Sequence, residues 1–343
     1  MTEQSNFKMS TLVLASIAAV LIFAVTNGMK DGANVSATAI ASGSLPRVWA
    51  IVIVAVGELF GPYLLGTKVA ATVSRNIIDP VVLHQGEETL ILILSGVLGA
   101  LAWNGLAWYL KLPTSSSLTL VGGLIGPALY RYGWGAVPWR LFLSKVVLAM
   151  FLSPLAGLAA GFVVCRILRA LLSTAPPSAN RSLRRAQVAT LLFLGANHGT
   201  NDSQKAMGII ALLLFVAGRN PAMAVPFWVK GVSILALTAG VVMGGTKIIK
   251  TVGYGIFKVR PLHSLESQLG AAVLLFGCNL AGAPVSTTQI ISSSVMGVGS
   301  GIRARGVHWN LARTIVWSWI FTIPLAGLMS LPVFLILRAV LLP

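Results

Sequence analysis

"GANHGTNDSQKAMG" occupies positions 195–208 of the chain. It places His198, Asn201, Asp202, Gln204 and Lys205 within eight residues. Apolar runs enclose it on both sides, ATLLFL (189–194) before and IIALLLFVAG (209–218) after. The 343 residues are 56% hydrophobic and only 10% charged, with a mean hydropathy of +0.86. Soluble domains carry roughly a quarter charged residues. The shortfall, with apolar runs of about twenty residues, predicts an all-α polytopic membrane protein. A transmembrane barrel would alternate with period two. Here whole helical turns are apolar, as in LLFLG and VVLAMFL.

The net charge of +17 fits cytoplasmic loops rather than a nucleic-acid surface. Cys165 and Cys278 lie in apolar stretches and read as core residues, not a disulfide or metal site. The N-terminal apolar run lacks a small-residue cleavage site and reads as a retained span. Apolar segments fall at 10–43, 47–66, 89–110, 113–130 and 139–168. A second set falls at 187–217, 223–245, 266–281, 284–300 and 309–339.

Arg166, Arg169, Arg181, Arg184 and Arg185 bracket a Pro/Ser-rich linker without an acid. Lys247, Lys250, Lys258 and Arg260 share another loop. Loop 67–89 instead sets Lys68 and Arg75 against Asp79, Glu87 and Glu88. The positive-inside rule puts the first two inside and the third outside. Ten crossings of the cytoplasmic membrane satisfy all three, with both termini outside. Five crossings on each side of the linker make the second half inverted. The expected units are residues 1–170, a cytoplasmic linker at 171–186, and residues 187–343.

Sequence symmetry supports the repeat. At an offset of 170, WRLFLSKVVLAMFLSPLAG (139–157) lies on WNLARTIVWSWIFTIPLAG (309–327), with eight of nineteen positions identical. An offset of 171 lays Gly28 on Gly199, Asp31 on Asp202, Pro113 on Pro284, Ser115 on Ser286 and Gly126 on Gly297.

The opening stretch therefore has a twin, "TNGMKDGANVSAT" (26–38). Each half buries an aspartate beside Asn and Gly. A buried charge in lipid needs a partner or a function. The plainest partner is a neighbouring lysine, Lys30 for Asp31 or Lys205 for Asp202. That pairing does not require the Asn and Gly neighbours. Glycines permit helix breaks, and broken helices expose carbonyls. Carboxylate, amide oxygen and free carbonyl together suit a hard cation such as Na⁺.

Two hydroxyl motifs, "PTSSSLT" (113–119) and "PVSTTQ" (284–289), also match between halves. Ser and Thr after Pro can simply cap a helix. Two hairpin helices starting at the membrane midplane would also aim unpaired N–H groups at a tetrahedral oxyanion. Phosphate is such an anion.

These motifs resemble the inorganic phosphate transporter (PiT) family, whose two G-A-N-D-V-A-N-like signatures sit in inverted halves. "GMKDGAN" (28–34) and "GTNDSQK" (199–205) stand in those places. "HGTNDSQK" (198–205) resembles the bacterial form, "ELFGPYLLGTKVAATVSRNIID" (58–79) the segment after the first signature, and "PVSTTQ" the P-V-S-T-T-H motif. The resemblance implies Asp31, Asn34, Asn201 and Asp202 as ligands of the coupling cation. It implies Ser115, Ser116, Ser117, Ser286, Thr287 and Thr288 as phosphate ligands. It implies Glu58 as a transport residue. A lone intramembrane acid in "VAVGELFG", Glu58 could alternatively bridge Lys230 or another buried base. Lys205 joins the transport set as the lysine nearest Asp202.

Three positions depart from the family. Lys30 replaces the Asn before the first Asp, and Leu118 and Gln289 replace the histidines ending the hydroxyl motifs. A lysine could substitute for one Na⁺, and losing both histidines weakens a proton relay there. The expected activity is phosphate import by cation-coupled symport, with Na⁺ or alternatively H⁺, by alternating access. Rival readings are a sulfate permease on the same scaffold and an anion channel. An enzyme is not expected, since no HExxH-like metal signature or base beside the hydroxyls is present. No tightly bound cofactor and no nucleic acid are expected. Membrane lipid is the surrounding partner, and a homodimer is compatible with the reading. Trp103, Trp108, Trp134, Trp139 and Trp309 suit interfacial belts. Lys145 and Arg313, on the last spans of the halves, receive no role.

Overall fold

The computed structural model of the chain describes residues 2–83, 86–110, 114–176, 179–244 and 255–342, without the side chains of 2–6, 179–181 and 311. Pro113, Lys247, Lys250 and the Arg181 side chain lie outside the described residues.

Among the described residues every element is helical. Helix α1 (Thr2–Asn27) passes through a π-helical stretch, Gly28–Gly32, into α2 (Ala33–Ala41). Then come α3 (Arg47–Leu64), α4 (Lys68–Asn76), α5 (Glu87–Tyr109) and α6 (Ser116–Tyr132). A short α7 (Trp139–Leu141) leads through a second π-helical stretch, Phe142–Val147, into α8 (Leu148–Leu171). The rest comprises α9 (Ala179–Val216), α10 (Phe227–Met243), α11 (Pro261–Ala281), α12 (Thr287–Arg303) and α13 (Trp309–Leu341).

Among the described residues, five helical segments are long and apolar enough to cross a membrane: Phe7–Ala41, Arg47–Leu64, Glu87–Tyr109, Trp139–Leu171 and Ala312–Leu341. The apolar window of α5 is 72% buried inside the protein, whereas those along α8 and α13 are 28% and 22% buried. Helix α5 is thus an interior element, and α8 and α13 offer Phe151, Leu155, Phe321 and Leu328 to lipid. Helix α11 is less apolar because His263, Ser264, Glu266, Ser267 and Gln268 are buried on it.

Helices α6 and α12 are both 17 residues long, and their ends are offset by the same 171 positions found in the sequence. Short 3₁₀ turns follow at Trp134–Ala136 and Ala304–Gly306. In each, a tryptophan closes the turn: Trp139 Nε1 donates to the Trp134 carbonyl at 2.8 Å, and Trp309 Nε1 to that of Ala304 at 2.9 Å. Packing is exchanged across the chain. Helix α6 lies against α13 and α12 against α8, while α3 lies against α9 and α10 against α1 and its π-helical stretch.

Three expectations need correction. The second signature does not break its helix, because α9 runs unbroken for 38 residues. Its glycines serve close approach instead. A Cβ on Gly199 would lie 2.5 Å from Glu58 Cα, and one on Gly195 2.9 Å from the Val54 carbonyl oxygen. The break occurs at 282–286, where Gly282 adopts a left-handed φ of +69° and ends α11. Residues 67–89 are not simply a loop, since α4 packs against α9 with Val69, Ala70 and Val73 buried. Trp103 is not interfacial: it is buried in a cluster with Ala107 and Ala326. Trp108, Trp134 and Trp309 are exposed, and Trp134 stacks on Trp139 with centroids 4.2 Å apart.

Candidate functional site

The two hydroxyl motifs begin α6 and α12, and both beginnings are buried. Ser115 Oγ accepts from Leu118 N at 3.3 Å, and Ser286 Oγ from Gln289 N at 3.4 Å. The capping reading therefore describes these two serines, whose O–H groups remain able to donate. The neighbouring hydroxyls reach elsewhere. Ser117 donates to the Val285 carbonyl at 3.1 Å, which ties the first hairpin to the break before the second. Ser116 is buried, and its hydroxyl has no partner among the described residues.

Adjacent residues at the start of α12 collect both acids. Thr287 Oγ1 donates to Asp202 Oδ2 at 3.2 Å, and Thr288 Oγ1 to Asp31 Oδ1 at 2.5 Å. Asn34 Nδ2 donates to Thr288 Oγ1 at 2.9 Å. Asp31, Asn34, Asn201, Asp202 and the Ser/Thr clusters thus form one buried centre. Asn201 is anchored beside it, donating to Asn279 Oδ1 at 2.8 Å and to the Ala283 carbonyl at 3.1 Å. The carbonyls freed by the break at 282–286 are therefore used by Asn201, Ser117 and Lys205.

The two signatures are not equivalent in their charges. Asp202 pairs with Lys205, which also donates to Ser117 Oγ at 2.5 Å and the Val285 carbonyl at 3.0 Å. Lys30 forms no ion pair with either acid and donates to Asn104 Oδ1 at 3.0 Å and Thr114 Oγ1 at 3.2 Å. The lysine seated on a carboxylate is thus Lys205. Glu58 bonds His198 Nδ1 at 2.5 Å, and not Lys230, whose ammonium sits 4.6 Å from the Tyr63 ring centroid. His198 Nε2 lies 3.0 Å from Asp202 Oδ2, close enough for charge pairing but not aligned as a hydrogen bond. Glu58 and His198 are both fully buried.

Oxygen acceptors remain for a cation. Asn27 Oδ1, Asn34 Oδ1 and Asn201 Oδ1 are buried and have no hydrogen-bond partner among the described residues. Buried polar atoms are normally satisfied, so such a group is conspicuous. These amide oxygens, like the Asp31 carboxylate, are of the type that ligates hard cations. The hydroxyls of Ser116, Ser117, Thr287 and Thr288, the starts of α6 and α12 and the Lys205 ammonium fit an oxyanion.

Sequence reasoning missed several residues of this centre. His198 lies one turn before Asp202 on the same helical face, and that spacing could have found it. Asn104 and Asn279 are lone amides within apolar runs, a pattern that marks buried function in membrane helices. Asn27 lies one turn before Asp31. Gln204, a signature residue, holds the entry to α4: it donates to the Gly66 carbonyl at 2.7 Å and accepts from Ala70 N at 3.0 Å.

Comparison with known proteins gives consistent matches. The sequence profile of the phosphate transporter family matches residues 27–182 and 172–330. A probable low-affinity inorganic phosphate transporter of Bacillus subtilis is 35% identical over 331 residues, covering 96% of this chain and 98% of that protein. One from Mycobacterium bovis is 37% identical over 326 residues, covering 93% and 76% of the two chains. One from Rhizobium meliloti is 35% identical over 325 residues, covering 93% and 94%. The solved structure of a protein described as "The sodium-dependent phosphate transporter" superposes with a TM-score of 0.85 at 22% identity, covering 96% of this chain and all of that one. That likeness fixes the helical fold.

Proposed function

Because this chain belongs to the phosphate transporter family, as a multi-pass membrane protein and not an enzyme, we propose that it imports inorganic phosphate by cation-coupled symport. One observation carries the coupling. Thr287 and Thr288, the hydroxyls best placed to receive an anion, each donate to one of the two acids. A carboxylate and a phosphate cannot both take the same O–H. A cation bound by Asp31, Asn34 and Asn201 would draw the Asp31 carboxylate from Thr288 and release that donor toward phosphate. Binding of cation and anion then favour each other through a shared hydrogen bond. The cation also lowers the cost of bringing an anion into a buried site.

In this reading Asp202 stays with Lys205, and the ammonium joins Ser117 in facing the anion. Glu58 acts through His198, which it orients beside Asp202. The sodium dependence of the structural neighbour supports Na⁺ as the coupling ion. A second reading, H⁺ coupling, is favoured by the Glu58–His198–Asp202 chain. Uptake into proteoliposomes, with Na⁺ and pH gradients imposed separately, distinguishes them. Accumulation driven by the Na⁺ gradient alone is expected, and accumulation driven only by the pH gradient would overturn Na⁺ coupling. Sulfate that competes equally for labelled phosphate uptake would favour the sulfate permease instead.

We further propose that residues 1–170 and 187–343 are inverted repeats, with the linker at 171–186 cytoplasmic and both termini outside the cytoplasmic membrane. The 171-residue offset of α6 and α12 and their exchanged packing support this.

A further inference from the structure

A cavity of about 680 Å³ lies away from the central site. Arg169 of α8, Arg184 and Gln187 of α9, and Arg260 and His263 of α11 line it. All three arginines are exposed, and the buried acid Glu266 accompanies one of them, with its Oε1 3.9 Å from Arg169 Nε. Arginines around a cytoplasmic linker are ordinary, and exposed on a convex face they would need no explanation. These converge on a concavity, and polar groups lead inward from it.

Gln187, at the cavity wall, is buried and donates to Ser264 Oγ at 3.2 Å and to Gln268 Oε1. Gln268 Nε2 donates to Thr38 Oγ1 at 3.0 Å. Thr38 lies one helical turn beyond Asn34, which donates to Thr288 in the central site. Two buried glutamines and a threonine thus form a hydrogen-bonded bridge from the cavity wall to Thr38, the last residue of the first signature stretch. Amides are costly to bury among apolar helices unless they serve a purpose.

The geometry points to the arginine cavity as a second oxyanion site, with the Gln187–Gln268–Thr38 bridge as the barrier between it and the central site. The ligand chemistry is a phosphate group with two negative or partly protonated oxygens, which planar guanidinium groups bind as paired donors. It has two sources, orthophosphate leaving the central site and the headgroup of an anionic phospholipid. The inference rests on the phosphate reading of the central site for the first source only.

The test uses the full chain in phosphatidylcholine nanodiscs and equilibrium binding of ³²P-orthophosphate with Na⁺ present. Wild type is expected to bind two phosphates per chain, and the Arg169→Gln/Arg260→Gln variant one. Thr287→Val/Thr288→Val should lose the other, so its failure to do so would sink the central reading while leaving this one standing. If wild type binds one phosphate, the same two proteins are purified from phosphatidylglycerol-containing membranes and assayed for retained lipid phosphorus. Loss of retained lipid in the double arginine variant assigns the site to the headgroup and overturns the phosphate-exit role. No change in phosphate stoichiometry or in retained lipid overturns the site altogether. For the barrier, Gln268→Ala is expected to raise phosphate exchange across proteoliposomes several-fold. An unchanged rate in that variant and in Gln187→Ala, with cavity binding intact, removes the barrier.

Discussion

At the scale of single residues, the two aspartates that the sequence treats as twins have different surroundings, and this separates their mutants. Asp31 accepts from Thr288, and its neighbour Lys30 is engaged by Asn104 and Thr114. Asp31→Asn should therefore keep its shape and hydrogen bond, and the folded protein, while abolishing Na⁺-driven accumulation in proteoliposomes. Asp202 neutralises Lys205 and faces His198. Removing one member of a buried ion pair commonly costs about 3–5 kcal/mol. Lys205→Met should lower the thermal midpoint in detergent markedly, and Lys205→Met/Asp202→Asn should recover part of the loss. Equal midpoints for single and double variants would remove the pair from the account of stability. The acids, their asparagines and the hydroxyls were legible because polar residues in apolar segments stand out. The asymmetry was not, since both signatures carry a lysine near the Asp and only the fold decides which one turns toward it. The partner of Glu58 was hidden for a similar reason: His198 is distant in sequence, and a lysine on α10 offers the same charge.

At the scale of elements, glycine in this chain separates two physical uses that composition alone merges. Gly240 of α10 faces α1 so closely that a Cβ there would lie 2.0 Å from the Val25 carbonyl oxygen. Gly231, on the same helix, has nothing within 4 Å of a built Cβ. Overpacking a close contact costs roughly 1–3 kcal/mol, while Gly→Ala at an open helical position gains up to about 1 kcal/mol. Gly240→Ala should thus lower the thermal midpoint and Gly231→Ala hold or raise it; the reverse order would mean that the α1–α10 contact is not held by close approach. The same distinction explains the misread second signature. Its glycines looked like helix breakers, yet α9 stays whole, and Gly195 and Gly199 instead leave the space that α3 occupies. The hairpin starts were legible, as Pro followed by Ser is a strong cap signal. Helix α4 was not, because nine residues carrying Lys68 and Arg75 read as loop until α9 covers their apolar side.

At the scale of the whole molecule, the exchanged packing would give the proposed repeat a physical purpose. Helix α6 packs on α13 and α12 on α8, each the last helix of the other half, as well as on a helix of its own half, α5 and α11 respectively. The candidate site lies where the starts of α6 and α12 meet the two acids, and in the proposed mechanism a movement of one half against the other would change both sides of it together. That mechanism requires the halves to be inverted, which demands an odd number of crossings in each. The test is local. Val81, between α4 and α5, and Ser173, in the linker after α8, are both exposed. Three expected crossings separate them, at 89–110, 113–130 and 139–168. In a Cys165→Ala/Cys278→Ala background, Val81→Cys should react with a membrane-impermeant maleimide on intact cells. Ser173→Cys should react only after the membrane is opened. Reaction of both from the same face would make the count between them even, put both loops on one side, and leave the halves parallel. Alternating access would then need a different moving part from the one that the 171-residue offset suggests.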